Sequence, residues 1–121
     1  MQIRLELFVA DLQKSIQFYE EVLCFKFFRK TEKSAMMKLN DFALLLTPDY
    51  ILHEHHFLKK DGLTPKGKGV EIIVAVQNVE KMYEHVVERK YLIESSLQTQ
   101  TWGMKDFRLI DPDGYYLRIT S

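Results

Sequence analysis

Asp106-Phe107-Arg108-Leu109-Ile110-Asp111-Pro112-Asp113-Gly114-Tyr115-Tyr116-Leu117-Arg118-Ile119-Thr120 reads as a β-hairpin. Its turn is Asp-Pro-Asp-Gly. Proline presets φ near −65°, aspartate caps local backbone groups, and glycine takes a positive φ without steric cost. Runs rich in Phe, Leu, Ile and Tyr lie on both sides, as strands require. A fainter copy stands earlier: Asn40-Asp41-Phe42-Ala43-Leu44-Leu45-Leu46-Thr47 aligns with Asp113 to Thr120 without a gap. The chain therefore reads as one unit used twice, and the informative residues are those in equivalent places of the two copies.

The first copy begins with Gln2 to Val9, where Ile3, Leu5, Leu7 and Val9 alternate with Arg4, Glu6 and Phe8. That is the period of a strand. Asp11 then precedes Leu12, Ile16, Tyr19 and Leu23, an apolar stripe at helical spacing with an N-cap in front, so a helix is expected from Leu12 to Leu23. Cys24 follows where a C-cap glycine is common. Strands are expected at Phe25 to Lys30, Ala35 to Leu39 and Phe42 to Pro48. The second copy repeats the order. Val70 to Val76 alternates as a strand, and Asn78 caps a helix carrying Val79, Met82, Tyr83 and Val86. Tyr91 to Leu97 reads as a strand, Gln98 to Thr101 as a polar loop, and the hairpin closes the unit. Arg4 aligns with Glu71, Val9 with Val76, Asp11 with Asn78 and Lys14 with Lys81. The expected fold class is α+β: one domain over residues 1–121, built from βαβββ modules at 1–48 and 70–121 with a linker at 49–69.

That linker carries His53, His55 and His56, then a run of Lys, Gly and Pro. No Cys or carboxylate pattern of a structural zinc site accompanies the histidines, so they read as side chains of a solvated loop. The charge balance, 17 Lys+Arg against 17 Asp+Glu, argues against a nucleic-acid partner. No apolar run approaches the ~20 residues of a membrane span. The start, Met1-Gln2-Ile3-Arg4, has no signal-peptide layout, and a lone Cys24 suits a reducing compartment, so a cytoplasmic location is expected.

The run Phe8-Val9-Ala10-Asp11-Leu12-Gln13-Lys14-Ser15-Ile16-Gln17-Phe18-Tyr19, then Val22-Leu23-Cys24-Phe25, and Trp102 to Arg108 leading into Asp111-Pro112-Asp113-Gly114 together resemble the vicinal oxygen chelate superfamily. Its members include glyoxalase I, extradiol dioxygenases, and fosfomycin and bleomycin resistance proteins. The resemblance covers nearly the whole chain. It implies two modules related by a pseudo-twofold, with curved mixed sheets that cup a cavity and helices outside. It also implies a homodimer as the expected assembly.

Metal-dependent members of that superfamily place His, Glu or Gln ligands in the first and last strands of each module. By alignment those places hold Arg4, Leu45, Glu71 and Arg118 here. Arginine is cationic at any working pH and leucine has no donor atom. The expectation is therefore no metal and no cofactor, with Glu71 paired to Arg4 or Arg118 and Glu6 close by. Such a pair is either structural or leaves one guanidinium to orient an anionic ligand group. Phe8, Trp102 and Tyr116 are the aromatics expected at the cavity or its rim. The ligand-binding set is then Arg4, Glu6, Phe8, Glu71, Trp102, Tyr116 and Arg118, with no catalytic residue. The implied activity is bleomycin-resistance-like sequestration of a small organic molecule, anionic or aromatic, in a metal-free cavity between modules. The alternative is a glyoxalase- or dioxygenase-type enzyme with an atypical metal site.

Overall fold

A computed structural model describes residues 3–59 and 65–121. The elements run β1 (Leu5–Val9), α1 (Leu12–Gln17), a π-helical turn (Phe18–Val22), β2 (Lys26–Lys30), β3 (Ala35–Leu39), β4 (Phe42–Pro48), a 3-10 turn (Asp49–Ile51), β5 (Glu71–Ala75), α2 (Val79–Glu88), β6 (Ser95–Thr99), β7 (Lys105–Ile110) and β8 (Tyr116–Thr120). The expected strand start at Gln2, and residues 60–64 of the expected linker, lie outside the described residues. The chain divides into two compact units, Met1–Thr64 and Pro65–Ser121.

Each unit holds one mixed four-stranded sheet. The orders are β1-β4-β3-β2 and β5-β8-β7-β6, so the two topologies are the same. The first strand runs parallel to the last, and the rest of each sheet is antiparallel. Register repeats as well. Leu5 pairs with Leu44, and Ile72 pairs with Leu117, which are equivalent positions under the gap-free alignment.

One face of each sheet is sealed. In the first unit Leu7, Val9, Ala35, Met37, Leu44 and Leu46 are buried, and α1 packs on β3 and β4. In the second, Ile72, Val74, Phe107, Leu109, Leu117 and Ile119 are buried, and Tyr83 of α2 meets Phe107 edge-on at 5.1 Å. Fully burying one such side chain contributes about 1.5–3 kcal/mol. Side chains alternate along a strand, so the intervening residues all point to the opposite, helix-free face.

Both helices start on the expected caps: Asp11 accepts from the Lys14 N–H at 3.1 Å, and Asn78 from the Lys81 N–H at 3.0 Å. The first helix departs from the expected span of Leu12 to Leu23. It widens into the π-helical turn after Gln17, which buries Phe18, Tyr19 and Val22 together. Phe18 and Tyr19 then stack edge-on at 4.8 Å, and Tyr19 meets Phe25 at 5.5 Å. Cys24 takes φ 62° to end the helix, in the place where glycine is usual, and Lys90 takes φ 59° after α2.

The largest departure is β6. Tyr91 to Leu97 was expected as the strand and Gln98 to Thr101 as a loop, yet β6 spans Ser95–Thr99. Gln98 pairs with Asp106 and Thr99 with Lys105. As the outermost strand of its sheet, β6 takes polar residues without cost, and its ladder with β7 overrides its weak propensity.

The Asp-Pro-Asp-Gly turn is built around Asp111. Its Oδ1 accepts from the Asp113 N–H at 2.8 Å and the Tyr115 N–H at 2.9 Å, and its side chain is buried. Residues 65–69 lie against this turn. The Lys66 N–H donates to the Asp113 carbonyl at 3.2 Å, and Lys66 Nζ stands 3.6 Å from Asp113 Oδ1. A Cβ on Gly114 would come within 2.7 Å of Pro65 Cβ, and one on Gly67 within 2.6 Å of the Tyr115 ring. We expect Asp111→Ala to lower stability by about 1–3 kcal/mol, because it strands two part-buried donors. Asp111→Asn keeps an acceptor and should cost less than half as much. Urea melts of the two variants check this.

Candidate functional site

The register of the second sheet decides which groups share its helix-free face. Glu71 lies opposite Tyr116 across β5 and β8, and Arg118 lies opposite Arg108 across β8 and β7. Two guanidiniums placed directly across a ladder repel one another. Carboxylates on the same face answer that repulsion. Glu71 Oε1 is 2.9 Å from Arg118 Nε and 3.6 Å from Arg108 Nε. Asp106, only 1% exposed, holds Arg108 Nη1 at 3.1 Å and accepts from Gln100 Nε2 at 2.8 Å. A charged chain thus runs Gln100–Asp106–Arg108–Glu71–Arg118. The Arg118 Nε–H does not point along its short contact to Glu71, so that link is charge attraction without a hydrogen bond.

Trp102 sits at the tip between β6 and β7. That tip closes with the Gly103 N–H on the Gln100 carbonyl at 2.9 Å and the Gln100 N–H on the Met104 carbonyl at 2.8 Å. The indole is 57% exposed, and the Arg118 guanidinium carbon lies 6.0 Å from its ring centre, at the edge of cation–π range. Tyr116 Oη donates to Glu94 Oε2 at 2.8 Å. Desolvation, then the hydrogen bond and charge of Glu94, raise the Tyr116 hydroxyl above the ordinary tyrosine pKa. Beside them is a hollow of about 630 Å³, walled by Pro65, Gly67, Glu71, Glu94, Ile110 and Tyr116.

The first sheet carries the other candidates. Glu6 lies across from Leu45 and Phe8 across from Thr47. Thr47 Oγ1 donates to Glu6 Oε2 at 2.6 Å, which commits its only proton, so Ser34 Oγ donates to Thr47, also at 2.6 Å. Arg4 is exposed and lines a groove on this face with Glu6.

The expected pairing of Glu71 is met by Arg118, within one sheet. Sequence reasoning missed Arg108 and Asp106, which complete the chain of charges, and Gln100, whose neutral amide donates to it. Arg108 has a legible signal: with the turn centred on Asp-Pro-Asp-Gly, Ile110 faces Tyr116, and two steps back Arg108 must face Arg118. Glu94 and Gln100 have none, since both lie at loop ends where parity does not apply.

The donor set does not fit a metal of the kind that the superfamily holds in these places. Arg4 and Arg118 are cations, Leu45 has no donor, and Glu71 is engaged by two guanidiniums. His53 and His56 stack on one another at 5.3 Å, and His56 Nδ1 accepts from the Leu58 N–H at 3.0 Å. Among the described residues no group of three or more His, Cys, Asp or Glu is placed to hold a metal ion. No helix among them is long and apolar enough to cross a membrane.

Known proteins share this fold. The chain is 26% identical over 114 residues to a bleomycin resistance protein from Geobacillus stearothermophilus, covering 87% of this chain and 84% of that one. It is 27% identical over 107 residues to the metallothiol transferase FosB of Lysinibacillus sphaericus (strain C3-41), covering 88% and 72%. Among solved structures, TioX from Micromonospora sp. ML1 superposes with a TM-score of 0.79 at 17% identity, covering 99% of this chain and 97% of that one. With the repeated topology, the shared register and a family profile that matches residues 2–119, the chain belongs to the Glyoxalase/Bleomycin resistance protein/Dioxygenase superfamily.

Proposed function

We propose that this protein binds and sequesters a small organic molecule, without metal and without catalysing a reaction. The observation that carries the reading is Arg118 beside an exposed Trp102. Arg118 meets Glu71 through Nε, and its terminal nitrogens make no hydrogen bond among the described residues. A carboxylate or phosphate on the ligand would take those nitrogens in a bidentate contact. A flat ring would lie on the indole, adding about 0.5–1.5 kcal/mol beyond its area burial. Glu71 and Tyr116 line the adjoining hollow and give the ligand's polar groups further partners. Likeness to a bleomycin resistance protein supports a small organic molecule as the ligand. Each sheet ends in two outer strands, which favours assembly as a homodimer that covers such edges.

Trp102 is the only tryptophan, so its emission, excited beyond the tyrosine absorption band, reports on this site alone. Titration with bleomycin, and with a panel of aromatic carboxylates, should give saturable quenching for at least one compound. Arg118→Gln should weaken that binding about tenfold or more, with an unchanged far-UV spectrum. Linear, unsaturable quenching by every compound overturns the reading. The competing reading, a metal-dependent enzyme, is favoured by the likeness to a metallothiol transferase. It requires one equivalent of metal in protein purified without chelator, and loss of binding when that metal is removed.

Glu71→Gln removes the anion between Arg108 and Arg118. The Glu71 side chain is 35% exposed, so its worth falls between a surface pair and a buried one. We expect a loss of about 1–2 kcal/mol in denaturant melts at low salt, shrinking as salt is raised. A loss that is insensitive to salt would show that packing, and not charge, is what Glu71 supplies.

A further inference from the structure

The outer strand β2 of the first sheet is exposed at every position from Lys26 to Lys30. Its neighbour β3 is not, since Ala35 and Met37 are fully buried. We propose that the free edge of β2 is a docking surface for another protein, which adds an extended acidic segment to this sheet as a further strand. The proposal draws nothing from Trp102, Arg118 or the hollows on the helix-free faces.

Both sides of β2 are uncovered. Residues opposite one another in a ladder point to the same face. Phe27 lies across from Met37 and Lys30 across from Ala35, so both belong to the helix-packed face, yet Phe27 is 42% exposed. Lys26 lies across from Lys38 and Arg29 across from Met36, on the helix-free face, where Phe28 is 54% exposed. Each face of the edge thus offers one phenylalanine and at least one cation. An added strand pairs its backbone with the edge and sends alternate side chains to both faces, so it meets both rings at once. A single strand of nucleic acid stacks its bases on one platform and would leave one ring in water.

Charge names the partner. From Lys26 to Lys38 the chain holds Lys26, Arg29, Lys30, Lys33 and Lys38 against Glu32 alone, in a protein whose charges balance overall. None of these five cations makes an ion pair among the described residues. Lysines on an outer strand keep identical edges apart. A second copy has no complement to offer either. Its outer strands β1, β5 and β6 carry Glu6 and Glu71 as their carboxylates, already taken by Thr47 and by Arg108 and Arg118. An acidic strand from a different protein relieves the like charges instead. The edge is preorganised for it, because the β2–β3 turn is closed by the Thr31 N–H on the Ser34 carbonyl at 2.8 Å and the Ser34 N–H on Thr31 Oγ1 at 3.2 Å.

The probe is the acetylated and amidated peptide Glu-Val-Val-Glu-Glu-Val, which carries valine and glutamate to each face when extended. Its counterparts are Lys-Val-Val-Lys-Lys-Val and a form of the acidic peptide methylated on every backbone nitrogen. Each is titrated into the full chain and followed by amide chemical shifts and hydrogen exchange. The acidic peptide should bind saturably and at least about tenfold more tightly than either counterpart. The largest shifts should fall on Lys26 to Lys30, with slower exchange of the β2 amides that the ladder with β3 leaves unpaired. Lys26→Glu with Lys30→Glu, one on each face, should reverse the preference in favour of the lysine peptide. Should that variant fail to fold, Lys30→Gln alone, at an exposed position, should still weaken the acidic peptide severalfold.

Equal binding of the methylated peptide overturns the proposal, since charge without strand pairing would then suffice. Protection of the same β2 amides in the protein alone, growing with its concentration, overturns it in favour of a second copy as the occupant. Shifts confined to β1, β4 and β8, or no saturable binding of the acidic peptide, overturn it as well.

Discussion

Parity governs this molecule. In each sheet one face is closed by apolar contacts with a helix, and side chains alternate with a period of two. A polar residue one step from a buried one therefore has a single place to go. Ile72, Val74, Leu117 and Ile119 are held in the core, so Glu71, Tyr116 and Arg118 must emerge together on the far side. A slip of one residue would bury every charge and expose every core side chain. The charged chain of the second sheet is thus a by-product of core packing, and its members are fixed before any ligand arrives.

The same constraint accounts for the contrast between the two halves. Under the shared register Leu45 occupies the place of Arg118, Met36 that of Arg108, and Ser34 that of Asp106. One half therefore presents an ionic chain, and the other presents hydroxyls and thioether, with Glu6 tied to Thr47 and Ser34. Thr47 and Thr120 stand in equivalent places, yet the first donates to a carboxylate and the second to the Lys105 carbonyl. The duplicated scaffold kept its packing positions and let the open positions diverge.

Most of the fold was legible because core periodicity is local. The alternation in Leu5 to Val9, the caps Asp11 and Asn78, and the Asp111 turn are each readable within ten residues. The gap-free match of the two copies carried the strand register with it. What was not legible depends on partners distant in sequence. β6 is a strand because β7 accepts it, although Gln98 and Thr99 look like loop. The widened turn at Phe18 to Val22 answers to Phe25 and the sheet, not to helical spacing. Of the site, Glu71 and Arg118 followed from alignment and charge, whereas Glu94 meets Tyr116 only after folding.

The clasp between residues 65–69 and the hairpin turn has an evolutionary corollary. Gly67 and Gly114 each leave room for a neighbour from the other segment, Tyr115 and Pro65 respectively. Neither segment can change length or gain a side chain there without the other yielding. Insertions among relatives of this chain should therefore accumulate upstream of Pro65, and the two glycines should be kept or lost as a pair.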